Sequence, residues 1–235
     1  MSCFSPIARE ERVEAVRLAM AHQGLQALVV FDPRNIRYLS GFTGEDSCVV
    51  VTPSEVVLVS DFRFRLQAGV EAPGVRLVEV DSKLADALPG IVGGLEGDVG
   101  IESSFLTLAS WLELNEALSD IAHLPVKGVV EKLREVKTPE EIERCREAGR
   151  LAAEAMGRLV EMRVVGRSER EVALDIEMWA RRHGSGPMPF DYIVAAGPRG
   201  AMPHGVASEA PILANALLVV DMGVVVDGYA SDMTR

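Results

Sequence analysis

The sequence lacks two features that would each assign it to a particular class of protein. Its 235 residues include only three cysteines, Cys3, Cys48 and Cys145, and their odd number and wide spacing indicate free thiols in a reducing compartment. Basic residues are outnumbered, because 24 Lys and Arg stand against 35 Asp and Glu, which gives a net charge of −11. Such a surface repels nucleic acid and anionic membranes, so we expect neither as a partner.

Long apolar runs are also missing. No stretch reaches the roughly 18–20 residues that a membrane-spanning helix needs, and the opening residues MSCFSPIAREER lack the apolar core of a signal peptide. We therefore expect a cytoplasmic protein without a membrane segment. Hydrophobic residues make up 48% of the chain and charged residues 25%, which suits one large globular domain or two ordinary ones.

Strand and helix patterns alternate in the first half of the chain. A helix is predicted over residues 7–23, where Val13, Val16 and Met20 recur on one face. Short apolar runs predict strands over 25–31, 48–52, 55–60, 75–80 and 98–102, and further helices are predicted over 64–69, 84–88 and 106–118. Asp32-Pro33 is predicted to form a turn. This alternation indicates an α/β (α+β) fold with a mixed sheet.

The pattern changes between residues 126 and 137. Thr138 and Ser168 are each followed three residues later by glutamate, which predicts capping boxes at the start of two long helices. On the first of them the apolar residues Ile142, Gly149, Ala152, Met156 and Leu159 recur at helical spacing. The acidic residues of both helices alternate with arginine, which predicts solvated faces. Strands are then predicted over 190–196, 216–222 and 229–235. We place a domain boundary near residue 128, which gives domains 1–128 and 129–235.

Two aspartates near the end of the sequence form the most informative pattern. Asp227-Gly228 between β-branched or aromatic residues predicts a two-residue hairpin turn. Counting outward pairs Gly223 with Asp232, so Asp221 shares a face with Asp232 as its diagonal neighbour, about 7–8 Å away. Two ionised carboxylates beside a buried strand repel unless cations compensate, which is the argument for a metal site with two bridged ions. On spacing alone, a solvated hairpin face without a ligand is the more frequent arrangement, because Asp is common at hairpins.

Several segments resemble one family of enzymes. The segment DMGVVVDGYASDMTR (221–235) resembles the first metal-binding segment of the M24 metallopeptidases, the Xaa-Pro aminopeptidase and prolidase group with a pita-bread catalytic domain. FDPRNIRYLSGF (31–42) and DFRFRLQA (61–68) resemble the creatinase-like domain that precedes it. LREVKTPEEIERCREAGRLA (133–152) resembles the first catalytic-domain helix, and MPHG (202–205) resembles the histidine loop of the family. The resemblance runs from about residue 8 to residue 235.

The resemblance implies an Xaa-Pro exopeptidase with two divalent metal ions, Mn²⁺ or Co²⁺ ahead of Zn²⁺, that activate a water. Asp221 matches the aspartate that chelates one ion, and Asp232 matches the aspartate that bridges both. His204 matches the histidine that hydrogen-bonds the substrate or the tetrahedral intermediate, and Phe190 lies where relatives form the substrate pocket. Tyr229 is expected to support the motif structurally. The implied partners are a peptide substrate with proline at P1′ and a second copy of the chain in a homodimer.

The family's remaining ligands, one His and two Glu, have no counterpart in this sequence. We therefore expect a creatinase-like domain followed by the first half of a pita-bread domain, an incomplete and inactive portion of a longer enzyme. Two alternatives share the fold: a non-catalytic pita-bread binding protein and a creatinase-like metal-free hydrolase. Both usually lose the metal aspartates, so the presence of Asp221 and Asp232 favours the peptidase. The sequence does not separate an aminopeptidase from a dipeptidase.

Overall fold

A computed structural model describes residues 6–235, with side chains described from residue 8 onward. Contacts divide the chain into two compact units, of which the first ends at Val136 and the second runs from Lys137 to Arg235. This division falls later than the boundary near residue 128. The reason is a short helix at Val129–Glu135 that places Val129 and Val130 in the core of the first unit.

The first unit contains a sheet with helices on both faces. Its helices are α1 (Pro6–His22), α2 (Pro33–Ser40), α3 (Arg65–Glu71), α4 (Leu88–Val92), α5 (Leu108–Ala117) and α6 (Val129–Glu135). Its strands are β1 (Leu25–Val30), β2 (Ser47–Val51), β3 (Val56–Asp61), β4 (Arg76–Val80), β5 (Asp98–Glu102) and β6 (His123–Val126). Short 3₁₀ turns at Phe62–Phe64 and Leu84–Ala87 precede α3 and α4.

The sheet has the strand order β4-β3-β2-β1-β5-β6. Strand β2 runs antiparallel to β1 and β3, whereas the pairs β3–β4, β1–β5 and β5–β6 are parallel. The mixed sheet expected from the sequence is thus confirmed. Every residue of β2 is buried, because Val49 and Val51 pack into the core on one face while Cys48 and Val50 pack into the core on the other.

Four elements of the first unit were not predicted: α2, β6, α6 and α4, which shares only Leu88 with the helix predicted over 84–88. Asp32-Pro33, predicted as a turn, begins helix α2: the Asp32 carboxylate accepts the Arg34 N–H at 2.8 Å and Pro33 occupies the first helical position. Strand β6 and helix α6 gave no signal because they are short. In β6 only Val126 is buried, so no alternation of apolar and polar residues marks it.

Two cysteines of the described chain are free thiols. Cys48 is buried in β2, and this desolvation raises the pKa of its thiol to about 12. Cys145 is half-buried on a helix of the second unit, and Cys3 lies outside the described residues.

Within residues 6–235, none of the helices combines the length and the apolar character needed to cross a bilayer.

The second unit packs two long helices against a small sheet. The helices are α7 (Pro139–Glu161) and α8 (Glu169–Arg182), and the strands are β7 (Ile193–Ala196), β8 (Leu218–Met222), β9 (Val225–Val226), β10 (Tyr229–Ala230) and β11 (Met233–Thr234). A 3₁₀ turn at Gly197–Ala201 follows β7. Strands β7 and β11 lie on either side of β8, and both run antiparallel to it. Strand β9 pairs with β10. Apolar residues of α7, α8, β7 and β8 form one core.

Helix α7 has the predicted start and nearly the predicted length, and its buried face shares Ala152, Met156 and Leu159 with the predicted stripe but not Ile142. The residues that it buries in the core are Ala148, Leu151, Ala152, Ala155 and Leu159. Ile142, predicted to belong to the stripe, is 40% exposed. The difference arises because alanines, which give a weak apolar signal, form most of the buried face.

The capping box of α7 gives a test of local stability. The Thr138 hydroxyl accepts the Glu141 N–H at 3.3 Å, and the Glu141 carboxylate accepts the Thr138 N–H at 2.9 Å. We expect Thr138→Ala to lower the unfolding free energy of the second unit by about 1 kcal/mol. Urea unfolding followed by Trp179, the only tryptophan of this unit, measures the loss. Thr138→Ser keeps the hydroxyl, so an equal loss in that variant would contradict the capping role.

Candidate active site

A tight turn sets the register of the hairpin at residues 221–234. Asp227 and Gly228 both have positive φ, 46° and 77°, as a type I′ turn requires. Around it Val226 pairs with Tyr229 and Val225 with Ala230. The same register continues between β8 and β11, where Met222 pairs with Met233 and Asp221 with Thr234. The pairing predicted from the turn is confirmed.

This register sets the relative placement of the two aspartates. Continued through residues 223–224 and 231–232, which are not paired as strands, it puts Gly223 opposite Asp232, so we infer that Asp221 on β8 and Asp232 between β10 and β11 lie one diagonal step apart on one face. Diagonal neighbours of this kind are about 7–8 Å apart. Asp221 is half-buried and accepts a hydrogen bond from the Thr234 hydroxyl at 2.8 Å, whereas Asp232 is exposed.

Gly223 between the two carboxylates makes room for neighbouring side chains. A Cβ built on it would collide with the Ser231 carbonyl oxygen and would lie 2.8 Å from Pro189 Cγ and 3.1 Å from Phe190 Cε1. Pro189 and Phe190 therefore pack closely against the backbone at Gly223.

Tyr192 supports the same stretch of backbone and was missed by the sequence analysis. Its hydroxyl donates to the Gly223 carbonyl oxygen at 2.8 Å, and the side chain is buried. Desolvation, with a contribution from Glu177, raises the pKa of Tyr192 to about 12, so the phenol remains a donor at neutral pH. Its position two residues before buried Val194, on the same face of the chain, is the signal that could have revealed it.

The hairpin is attached to the start of α7 through Glu141. The Tyr229 hydroxyl donates to Glu141 Oε1 at 2.8 Å, and Arg144 forms an ion pair with Asp227 at 3.0 Å. Glu141 is only 3% exposed, so the prediction of a solvated acidic face is wrong at this position. Tyr229 has the supporting contact expected of it.

His204 lies on an exposed turn near the sheet. Two residues later Val206 forms a bridge to Ile193, and Ile193 pairs with Asp221. Val206 is thus two strand spacings, or about 10 Å, from the backbone of Asp221. The chain brings the histidine turn to the β7 side of the strand that contains Asp221.

The two aspartates fit part of a metal site. Carboxylate oxygens on one face are suitable ligands for hard divalent cations such as Mn²⁺. Among the described residues, no group of three or more His, Cys, Asp or Glu side chains could hold a metal ion. Since divalent cations need four to six donors, Asp221 and Asp232 supply one side of a coordination shell and leave the rest to other groups.

Both units match known protein families. Residues 12–136 match the creatinase/prolidase N-terminal domain, and residues 143–235 match metallopeptidase family M24. The chain therefore belongs to the M24 metallopeptidase family, with a creatinase/prolidase N-terminal domain. This agrees with the fold of each unit and with the resemblance of the aspartate hairpin.

Individual relatives have similar sequences and structures. The Xaa-Pro dipeptidase of Pyrococcus furiosus is 31% identical over 229 residues, covering 96% of this chain. A solved Xaa-Pro dipeptidase from Bacillus anthracis superposes with a TM-score of 0.90 at 34% identity over 97% of this chain. The X-Pro aminopeptidase of Thermotoga maritima superposes with a TM-score of 0.85 at 28% identity over 95% of it. The chain spans 64% of the length of each of these proteins.

The contacts of Gly223 give a testable prediction. We expect Gly223→Ala to destabilise the second unit by about 1–3 kcal/mol, because the new methyl group collides with the Ser231 carbonyl oxygen and crowds Pro189 and Phe190. Gly149→Ala is the matched control: a Cβ there meets nothing within 4 Å, so the same change on helix α7 should stabilise by about 0.5–1 kcal/mol. Urea unfolding followed by Trp179 fluorescence compares them. Effects of the same sign would contradict the close packing around Gly223.

Proposed function

We propose that this chain is part of a metal-dependent exopeptidase that hydrolyses Xaa-Pro bonds. The observation that supports this most directly is the pair Asp221 and Asp232, held on one face by the hairpin register. Membership of the M24 family and the printed activities of the relatives, an Xaa-Pro dipeptidase and an X-Pro aminopeptidase, support the same reaction. Both Xaa-Pro dipeptides and longer Xaa-Pro peptides are candidate substrates.

The aspartates are proposed to hold two divalent cations. Asp221 would bind one ion and Asp232 would bridge both, with Mn²⁺ or Co²⁺ favoured over Zn²⁺. When bound, such ions supply Lewis-acid activation of a water and charge stabilisation at the scissile carbonyl. The hydrogen bond from Thr234 to Asp221 and the bond from Tyr192 to the Gly223 carbonyl orient the strand that contains the first ligand.

Two further residues are proposed to bind the substrate. His204, on its exposed turn, would hydrogen-bond the substrate or the tetrahedral intermediate. Phe190 packs with Pro189 at Gly223, and its ring offers an apolar surface for the proline at P1′. We propose a homodimer in the cytoplasm, a location supported by the free thiols of Cys48 and Cys145.

The complete reading frame provides the assay. We expect it to cleave Xaa-Pro dipeptides or longer Xaa-Pro peptides only with added Mn²⁺, Co²⁺ or Zn²⁺. Asp232→Asn should lower kcat/KM by more than the roughly 10- to 100-fold typical of residues that only support a ligand. Asp227→Asn is the control in the same hairpin, because Asn-Gly also favours the type I′ turn, and its activity should stay close to wild type.

Three outcomes would overturn the proposal or one of its parts. Absence of metal-dependent cleavage of both peptide classes would exclude the peptidase and favour a binding protein of this fold. Metal-independent hydrolysis of creatine would favour the creatinase-like alternative. Wild-type turnover in Asp232→Asn would show that the aspartate does not bridge the ions.

The 235-residue chain alone gives a second prediction. We expect no appreciable turnover from it, because its described residues contain two metal-binding carboxylates and no group of three or more ligands. The same peptide assay, with excess Mn²⁺, measures this. Turnover above that of the Asp232→Asn variant of the same chain would contradict the prediction and would require ligands from a second copy.

A further inference from the structure

The first residue of helix α8 is a buried glutamate. The Glu169 carboxylate accepts four hydrogen bonds: from the Ala196 N–H at 2.8 Å, the Ser208 N–H at 3.0 Å, the Ser208 hydroxyl at 2.7 Å and Arg199 Nε at 2.9 Å. Its side chain is fully buried, so the prediction of a solvated acidic face is wrong here as well. Capping of the helix does not explain it, because Ser168 and Glu171 form the capping box.

These donors all belong to the segment of residues 196–208, which contains His204. Ala196 and Ser208 are its two ends, and Arg199 lies within it. Arg199 also donates from Nη2 to the Val206 carbonyl oxygen at 2.8 Å. The turn that contains His204 therefore lies between Arg199 and Val206, which are hydrogen-bonded to each other. Arg199 is in turn hydrogen-bonded to the Glu169 carboxylate.

The ionised carboxylate suits this role. Burial disfavours the charged form, but the hydrogen bonds from Ala196, Ser208 and Arg199 outweigh it and lower the pKa of Glu169. Charge-assisted hydrogen bonds are about twice as strong as neutral ones. Backbone hydrogen bonds already hold residues 208–210 to the start of α8: the Arg170 N–H donates to the Ser208 carbonyl oxygen, and the Glu169 N–H donates to the Ala210 carbonyl oxygen. The carboxylate adds the attachment of Ala196 and Arg199.

We propose that Glu169 is a positioning residue for His204: its carboxylate closes the 196–208 loop and holds the histidine turn in one conformation. The proposal depends on the proposed function only for the catalytic use of His204. The closing of the loop is a property of the 235-residue chain and is measured without metal or peptide.

Nuclear magnetic resonance of the 235-residue chain provides the test. Its four histidines give few imidazole signals, so His204 is assigned by its loss in His204→Gln. We expect Glu169→Gln to shift or broaden the His204 signal and to speed amide exchange within residues 196–208 by about tenfold or more. Exchange of the β7–β8 amides Val194 and Val220 should stay within about twofold, because the sheet core is not involved.

The matched control is Glu209→Gln. Glu209 is exposed and forms an ion pair with Arg170 at 2.7 Å, next to the loop but outside the network. Exposed pairs of this kind contribute little, so the His204 signal and loop exchange should match wild type. An unchanged His204 signal in Glu169→Gln would overturn the proposal, and so would uniformly faster exchange throughout the unit, which indicates a stability role only.

A second variant keeps the proposal testable if Glu169→Gln does not fold. Arg199→Met removes the bonds to Glu169 and Val206 from a residue that is partly exposed. It should change the His204 signal and loop exchange in the same direction, and wild-type behaviour would overturn the proposal. In the complete reading frame, Glu169→Gln should lower kcat by about tenfold or more with little change in KM. A wild-type enzyme without Xaa-Pro activity would refute the function and leave the loop result intact.

Discussion

The second unit depends on a constraint of strand geometry. Side chains alternate between the two faces of a strand, so a hairpin that slipped by one residue would separate Asp221 from Asp232 and place them on opposite faces. The type I′ turn at Asp227-Gly228 prevents the slip, because it fixes the pairing of every residue from 221 to 234. The relative placement of Asp221 and Asp232 therefore depends on a turn that contains neither of them. Gly223 adds the second condition, since a side chain there would collide with the Ser231 carbonyl oxygen and crowd Pro189 and Phe190.

Buried polar groups also fix the positions of segments that contact the hairpin or lie outside it. Tyr192 binds the Gly223 carbonyl, Glu141 binds Tyr229, and Glu169 binds both ends of the histidine loop. Each of these groups is buried, and each is bonded to backbone or side chains of the aspartate hairpin or the His204 turn. The helices thus contribute more than an apolar face, because their glutamates position the segments that carry the proposed chemistry.

The parts that the sequence predicted correctly depend on local signals. Turn chemistry gave the hairpin register, and the capping boxes gave the starts of α7 and α8. The rest depends on contacts between distant residues. Glu169 and Ser208 are 39 residues apart, and Glu141 and Tyr229 are 88 apart, so nothing near either glutamate distinguishes it from a solvated one. The packing of Phe190 against Gly223 is likewise a contact between residues that are far apart in the sequence.

The contact between Glu141 and Tyr229 has a consequence for the order in which the chain is assembled. Glu141 helps to begin α7, yet the hydroxyl that binds its Oε1 comes from a residue 88 positions later. During synthesis the first turn of this helix is therefore capped by Thr138 long before the tyrosine exists. The helix can form early, but its carboxylate acquires its final surroundings only when the aspartate hairpin docks, so completion of the helix start and docking of the hairpin become a single step.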